Sequence, residues 1–475
     1  TGRDNNLSVS PRFNLKLQNN QQIIISPFVA YNQDQRDAYT QRSLNIVNQE
    51  LDSNDGERLT GRLITEWKQQ GQQNNEQSIK LFVQAEDENT DKTTYQTLQT
   101  ANQLTYQENT DRTERELALD GRIKSIFLET HIVSSGFEWR TKNTKEQLFK
   151  QQLLSNDSNI KEQRMALWWQ DEWLLSEKHT VTYGLRWQQF DNQINDTQQG
   201  FIEQKEDTFA PSIHYLWQPN EQWNIRASLA QHQRPARASE LSSVLRTASG
   251  VNSSSNPDRA GNPQLANEKQ YSVELGIEHY LPQKAGNLSL SVFERQVSDY
   301  VQRLTLLENS RWLERPYNVG DARLRGILFD SKVQLNALQL PNLTARASYA
   351  YSQNTLTDAV ANLGAGEGDR QTASLGIEYK FNNLTLGSSA NYISAIDKES
   401  SATVRQEQGS QKSANAYVGY KINKQFNMRF SVNNLLAGDR TDTLYEYDAQ
   451  GQLKRIEQDV MKTYANVLLS VDGRW

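Results

Sequence analysis

Over most of its 475 residues this chain alternates apolar and polar side chains with a period of two. Trp223, Ile225, Ala227 and Leu229 stand against Asn224, Arg226 and Ser228. Leu343, Ala345, Ala347, Tyr349 and Tyr351 stand against Thr344, Arg346 and Ser348. Ala414, Ala416, Val418, Tyr420 and Ile422, and then Phe426, Met428, Phe430 and Val432, repeat the pattern. Successive side chains of a β-strand point to opposite faces, so each of these segments has one apolar and one polar face. Arg186, Arg226, Arg346 and Arg429 all fall on polar faces. An arginine at mid-strand is costly against lipid and tolerable in a water-filled lumen. A soluble β-sandwich alternates too, so the connections must separate the two readings.

Short turns near 18–21, 71–75, 176–178, 218–222 and 423–425 alternate with long polar stretches at 33–56, 86–112, 143–159, 191–206 and 234–267. Short turns on one rim and long loops on the other belong to transmembrane β-barrels. Trp67, Trp139, Trp173, Trp187, Trp217 and Trp223 lie near the expected strand ends, where interfacial girdles sit. Trp475 ends a final alternating stripe, as a closing strand would. The expected fold class is therefore all-β, an antiparallel transmembrane barrel spanning 1–475. About 19 segments alternate over the ~9–11 residues that cross a bilayer. The first and last run toward the same rim, while single-chain barrels have even strand numbers. The expectation is truncation, with three strands missing from a 22-stranded barrel.

Composition narrows the function. Only 36% of residues are hydrophobic, and no run approaches the ~20 apolar residues of a spanning helix. A barrel with a polar lumen and polar loops accommodates that average. Cysteine is absent, which removes disulfides and thiolate metal sites. A net charge of −6 gives no nucleic-acid signature. His131, His179, His214, His232 and His279 show no ligand spacing, so no metal site is expected. The acidic runs at 52–57 and 86–91 miss the calcium-loop register. No G-x-S-x-G is present, and no catalytic residues or cofactor are assigned.

Gln233-Arg234-Pro235-Ala236-Arg237-Ala238-Ser239-Glu240-Leu241, followed by Asn262-Pro263-Gln264-Leu265 and Glu268, resembles a pattern of TonB-dependent outer-membrane receptors. Asn318-Val319-Gly320 leading to Arg325-Gly326, and Val432-Asn433-Asn434-Leu435-Leu436 before the final strand, are similar to further motifs of that family. Leu328 stands where the family usually has Glu, and Trp475 where it ends in Phe. The resemblance implies a siderophore-receptor-like barrel whose N-terminal plug, and the box that contacts TonB, lie outside this chain. It implies high-affinity, TonB-energised uptake of a scarce nutrient, foremost a ferric siderophore, with no enzymatic activity. The implied partners are outer-membrane lipid and lipopolysaccharide, the inner-membrane TonB complex and the barrel-assembly machinery. No histidine lies between Ala238 and Gly261, where haem receptors of this family carry one. Arg234, Arg237 and Arg246 with Tyr95, Tyr106 and Tyr317 are candidates to meet an anionic chelate through charge-assisted and cation–π contacts. The alternative for each is a loop residue balancing neighbouring acids. For the whole chain the alternatives are a passive porin-like channel or a structural, adhesive barrel.

Overall fold

The computed structural model describes residues 2–473 apart from 45, 72–74, 99–100, 198–199, 249–250, 360–365 and 449; Trp475 lies outside the described residues. The wall is one antiparallel meander. Its strands are β1 (Gly2–Val9, resuming at Phe13–Lys16), β2 (Gln21–Leu44), β3 (Ile46–Gln70), β4 (Glu76–Leu98) and β5 (Ala101–Phe127). There follow β6 (His131–Lys150), β7 (Leu153–Ser176), β8 (His179–Asp196), β9 (Gly200–Asn220) and β10 (Trp223–Arg234). Next come β11 (Glu268–Tyr280), β12 (Gly286–Ser298), β13 (Gly320–Leu335), β14 (Leu340–Ala359) and β15 (Arg370–Phe381). The last are β16 (Leu384–Ile393), β17 (Gln411–Lys421), β18 (Phe426–Asn433) and β19 (Asn466–Gly473). Both parts of β1 pair with β2, so the expected 19 wall strands are present. Among the described residues β1 pairs only with β2 and β19 only with β18, and the two edge strands run in the same direction.

Every turn on one rim is short. Asn19 and Asn20 both take positive φ (59° and 56°), the conformation a two-residue hairpin needs and asparagine tolerates. The opposite rim corrects the sequence reading. Stretches 33–56, 86–112, 143–159 and 191–206 are not loops, because they continue the strands as tall hairpins. β5 alone has 27 residues, where ~9–11 suffice to cross a bilayer. Polar cross-strand pairs hold these extensions. Arg58 donates to the directly opposite Glu88 at 2.6 Å, and Asn89 to the directly opposite Asp111 at 2.5 Å. Pairs of this kind contribute ~0.2–1 kcal/mol each, without the apolar stripe that sequence reading looks for.

The apolar stripes form the outer surface, where Leu167, Leu185, Ile213, Leu229, Val273, Leu290, Ile377 and Leu469 are exposed. At the short-turn rim Trp67, Trp173, Trp217 and Trp223 lie within four residues of a strand end, as expected. Trp139 and Trp187 instead sit eight residues beyond His131 and His179 on the same outer face, about 20 Å higher for strands tilted ~40°. They lie mid-strand because their strands continue past the bilayer. Three histidines belong to the lower girdle. His131 stacks on Trp173, His179 on Tyr215 and Trp217, and Trp223 on His279 with ring centroids 4.0 Å apart. Among the described residues no cluster of three or more His, Asp or Glu is placed to hold a metal.

The polar face lines the lumen. Gly326 packs under the Phe293 ring, and an added Cβ would overlap that ring. Leu328 lies two residues further on the same face, lining a cavity of about 590 Å³ with Glu274, Glu278 and Asp330. Beyond the wall, Val301–Glu308, Arg311–Asn318 and Asp258–Arg259 form a small three-stranded sheet. Gly366–Glu367, Ile396–Ser401, Val404–Gln408, Arg440–Tyr447 and Leu453–Met461 form a five-stranded one.

Candidate functional site at the mouth

The fifth long stretch is the one true excursion. Residues 235–267 leave β10 and return to β11 as a strap pinned at both ends of its course. On one side it is tied to the tall hairpins. Arg246 pairs with Glu146 of β6, and Ser242 Oγ donates to the same carboxylate at 3.2 Å. Lys150 Nζ donates to the carbonyl of Leu245 at 3.3 Å. The Tyr106 hydroxyl of β5 meets Glu108 and lies 2.8 Å from Thr247 Oγ1. On the other side Arg311 grips Asp258 through two bonds of 2.6 and 2.8 Å, and Asn252 donates to the Trp312 carbonyl at 2.8 Å. Ser254 Oγ reaches Glu446, in the hairpin between β18 and β19, at 2.7 Å. The strap thus joins β5–β7 to the hairpins that follow β12 and β18.

The residues that carried the family resemblance build this strap. Arg234 donates to Glu240 at 2.5 Å, and Glu240 also accepts the backbone N–H of Arg237 at 3.0 Å, which starts the single helical turn Ala238–Leu241. Ala236 donates its N–H to Asn267 at 2.9 Å. Leu241 and Leu265 are fully buried with Ala236 and Ala238 against Ile160 and Ile194 of the tall strands. The Pro263 carbonyl accepts from Gln204 at 2.7 Å, and Asn262 donates to the Pro316 carbonyl at 3.2 Å. Glu268 accepts the Val301 N–H at 2.7 Å and lies 3.8 Å from Arg234. Asn434 plays a similar part at the last hairpin, donating to Thr463 Oγ1 at 2.9 Å.

Charge follows burial at these clamps. Burial raises the Glu268 carboxyl above its ordinary value, against the pull of the Val301 N–H and Arg234. Burial would raise Asp258 as well, but the bonds from Arg311 and the Ala248 N–H hold it below the usual aspartate value. Burial and the hydrogen bond to Glu108 push the Tyr106 phenol well up, and Tyr317 is raised likewise beside Glu308. Lys150 is lowered by burial.

Two of the cavities where strap meets wall are large enough to hold a ligand. The outer, of about 420 Å³, has Arg58, Glu88, Lys92, Glu108 and Arg112 on the wall and Arg246, Thr247 and Arg259 on the strap. Five cations and two acids line it; Arg58 pairs with Glu88, Arg112 with Glu114, Arg246 with Glu146 and Arg259 with Glu314, and their remaining donors border the cavity. The inner, of about 350 Å³, lies under Pro235–Ser239 and again includes Arg112. Of the six candidate residues, Arg246 lines the outer cavity and Arg237 the inner, while Arg234 is spent on the latch. Tyr106 stands behind the outer cavity, bonded to Thr247. Tyr317 donates to Glu308 at 2.7 Å within its own hairpin, and Tyr95 is exposed near the tip of β4; neither lines the two cavities. Lys92, Arg112 and Arg259 had no signal in the sequence beyond being charges in stretches read as loops, and Arg58 lies just past the first of them.

The family described as TonB dependent receptor-like, beta-barrel, is matched over residues 1–435. The chain belongs to that family. As a TonB-dependent receptor barrel it is an outer-membrane protein, of a family whose members are transport receptors and not enzymes. The iron-regulated outer membrane virulence protein of Vibrio cholerae is 22% identical over 263 residues, covering 53% of this barrel but only 37% of that relative. Among solved structures, the copper transporter OprC has a TM-score of 0.62 at 13% identity, covering 100% of this chain and 80% of its own. The ferric citrate transporter FecA has a TM-score of 0.60 at 14% identity, covering 99% and 78%. FpvA of P. aeruginosa, bound to pyoverdines, has a TM-score of 0.60 at 12% identity, covering 99% and 70%. At these identities the likeness speaks for the fold.

Proposed function

We propose that this receptor barrel captures an anionic iron chelate, foremost a ferric siderophore, at the outer cavity for TonB-energised uptake. The observation that supports it most is the concentration of Arg58, Lys92, Arg112, Arg246 and Arg259 around one cavity at the mouth. Guanidinium groups there offer paired donors to carboxylate or hydroxamate oxygens, and the cavity is of the size that holds small ligands. Iron-linked relatives and structural neighbours agree with this substrate class. The reading places an N-terminal plug and its TonB-contacting box outside the 475 residues.

The test is binding of iron-55-labelled chelates to cells grown without iron. Arg259→Glu, on an exposed strap side chain, is expected to weaken capture at least tenfold while leaving the barrel assembled. Undiminished binding by this variant, or expression indifferent to iron starvation, sinks the assignment.

A further inference from the structure

The inner cavity carries a second step. Its wall carries two acids, Glu116 and Glu162, against the cations Arg112, Arg140, Lys142 and Arg164, and these cations are mostly neutralised. Arg112 has Glu114 at 3.0 Å, Arg140 has Glu116 at 3.2 Å, and Lys142 has Glu114 at 3.1 Å. Arg164 of β7 differs. Among the described residues no carboxylate lies within 4.0 Å of its guanidinium; its contacts are the amide oxygen of Gln188 at 3.4 Å and the Phe190 ring at 5.3 Å, and its Nε is buried without a partner. A half-buried guanidinium whose Nε is shut away from partners is costly unless an acceptor arrives. From the roof, Arg237 lines the same cavity on an exposed side chain, with no ion pair among the described residues. The volume of about 350 Å³ exceeds what bridging water needs and admits a small polyanion. Arg112 borders both this cavity and the outer one.

We infer that the space beneath Pro235–Ser239 is a second, inner site for oxyanion groups, with Arg164 as its binding residue and Arg237 closing it from the strap. An anionic ligand released by the outer cavity passes Arg112 and lodges its carboxylate-type oxygens on Arg164, still above the lower lumen. The inference rests on the receptor reading, and its test separates the two.

Selenate serves as the probe, since it is a small dianion whose selenium can be located by anomalous diffraction. The full-length receptor is titrated in detergent and crystallised with the probe. Selenium is expected beside Arg164 and in the outer cavity. Arg164→Gln is expected to lose the inner peak, keep the outer one, and weaken the corresponding solution affinity at least tenfold, and Arg164→Lys to restore part of it. Unaltered heat-modifiable gel mobility shows that both variants are assembled barrels. Selenium in the outer cavity alone, or an inner peak that survives Arg164→Gln, overturns the inner site and leaves the receptor reading standing. An empty outer cavity counts against the receptor reading itself, and selenium in neither cavity overturns both.

Discussion

Single residues here do two kinds of work, packing and clamping. Gly326 is required because Phe293 lies flat across its position on the neighbouring strand. Gly326→Val is expected to displace that ring, press on the Tyr351 carbonyl and lower the yield of heat-modifiable barrel several-fold, and Phe293→Ala should relieve the double variant only in part. Asp258 illustrates clamping. Its carboxyl is depressed in the folded protein, so its contribution is present above the ordinary aspartate value and vanishes as pH falls through the lower folded value. Asp258→Asn should therefore loosen the strap at neutral pH, by ~1.5–3 kcal/mol for charge-assisted bonds. The readout is protease cleavage within 235–267, with variant and wild type converging only in strong acid. Glu268 has the opposite sign. Its raised carboxyl binds its proton more tightly when folded, so its ionisation weakens the latch as pH rises through and above the usual glutamate value. Glu268→Gln is expected to flatten that loss, read as strap protection as pH rises from the usual glutamate value.

Strands impose a sharper rule, since neighbours in sequence meet opposite solvents. Val292 of β12 faces outward and is exposed, while Ser291 faces the lumen, lining one cavity with Glu274, Glu278 and Asp330. Val292→Arg is expected to cost ~2–4 kcal/mol near the bilayer midplane and impair assembly. Ser291→Arg should assemble nearly as the wild type does. Equal yields of the two folded barrels would refute the face assignment. The same alternation explains why the wall strands were legible in sequence while the tall hairpins were not. Within the bilayer one face must be apolar, which prints a period of two onto the chain. Above it the strands no longer meet lipid, and away from the strap extension depends on backbone ladders and pairs such as Arg58–Glu88 and Arg115–Asp87. Glu, Asp, Asn and Gln at those positions look like loop composition. The histidines were hidden for a related reason. His131, His179 and His279 are far apart in sequence but share one outer rim.

At the scale of the molecule the strap couples strand extensions and hairpins that lie far apart around the wall, and it divides the mouth into an outer and an inner compartment. Cutting its central clamp, Arg311–Asp258 with Ser254–Glu446, should free the strap without unfolding a wall that has its own ladders. Hydrogen exchange would then rise in 242–260 and stay low in β6–β8. Protection unchanged across 242–260 would mean that the buried contacts of Leu241 and Leu265 and the ties to Glu146, Lys150 and Tyr106 suffice to hold the strap. The sequence by itself determined the all-β class, the number of wall strands, which face of each meets lipid, and the family, through ordered motifs. It could do so because lipid exposure and hairpin turns act locally and leave a periodic record. Only the tertiary structure decided that the motif residues latch a strap, that four presumed loops are strands, and that Arg58, Lys92, Arg112, Arg246 and Arg259 share a cavity. Those outcomes depend on contacts between residues up to about two hundred positions apart, such as Ser254 and Glu446, for which a polar segment carries no local mark.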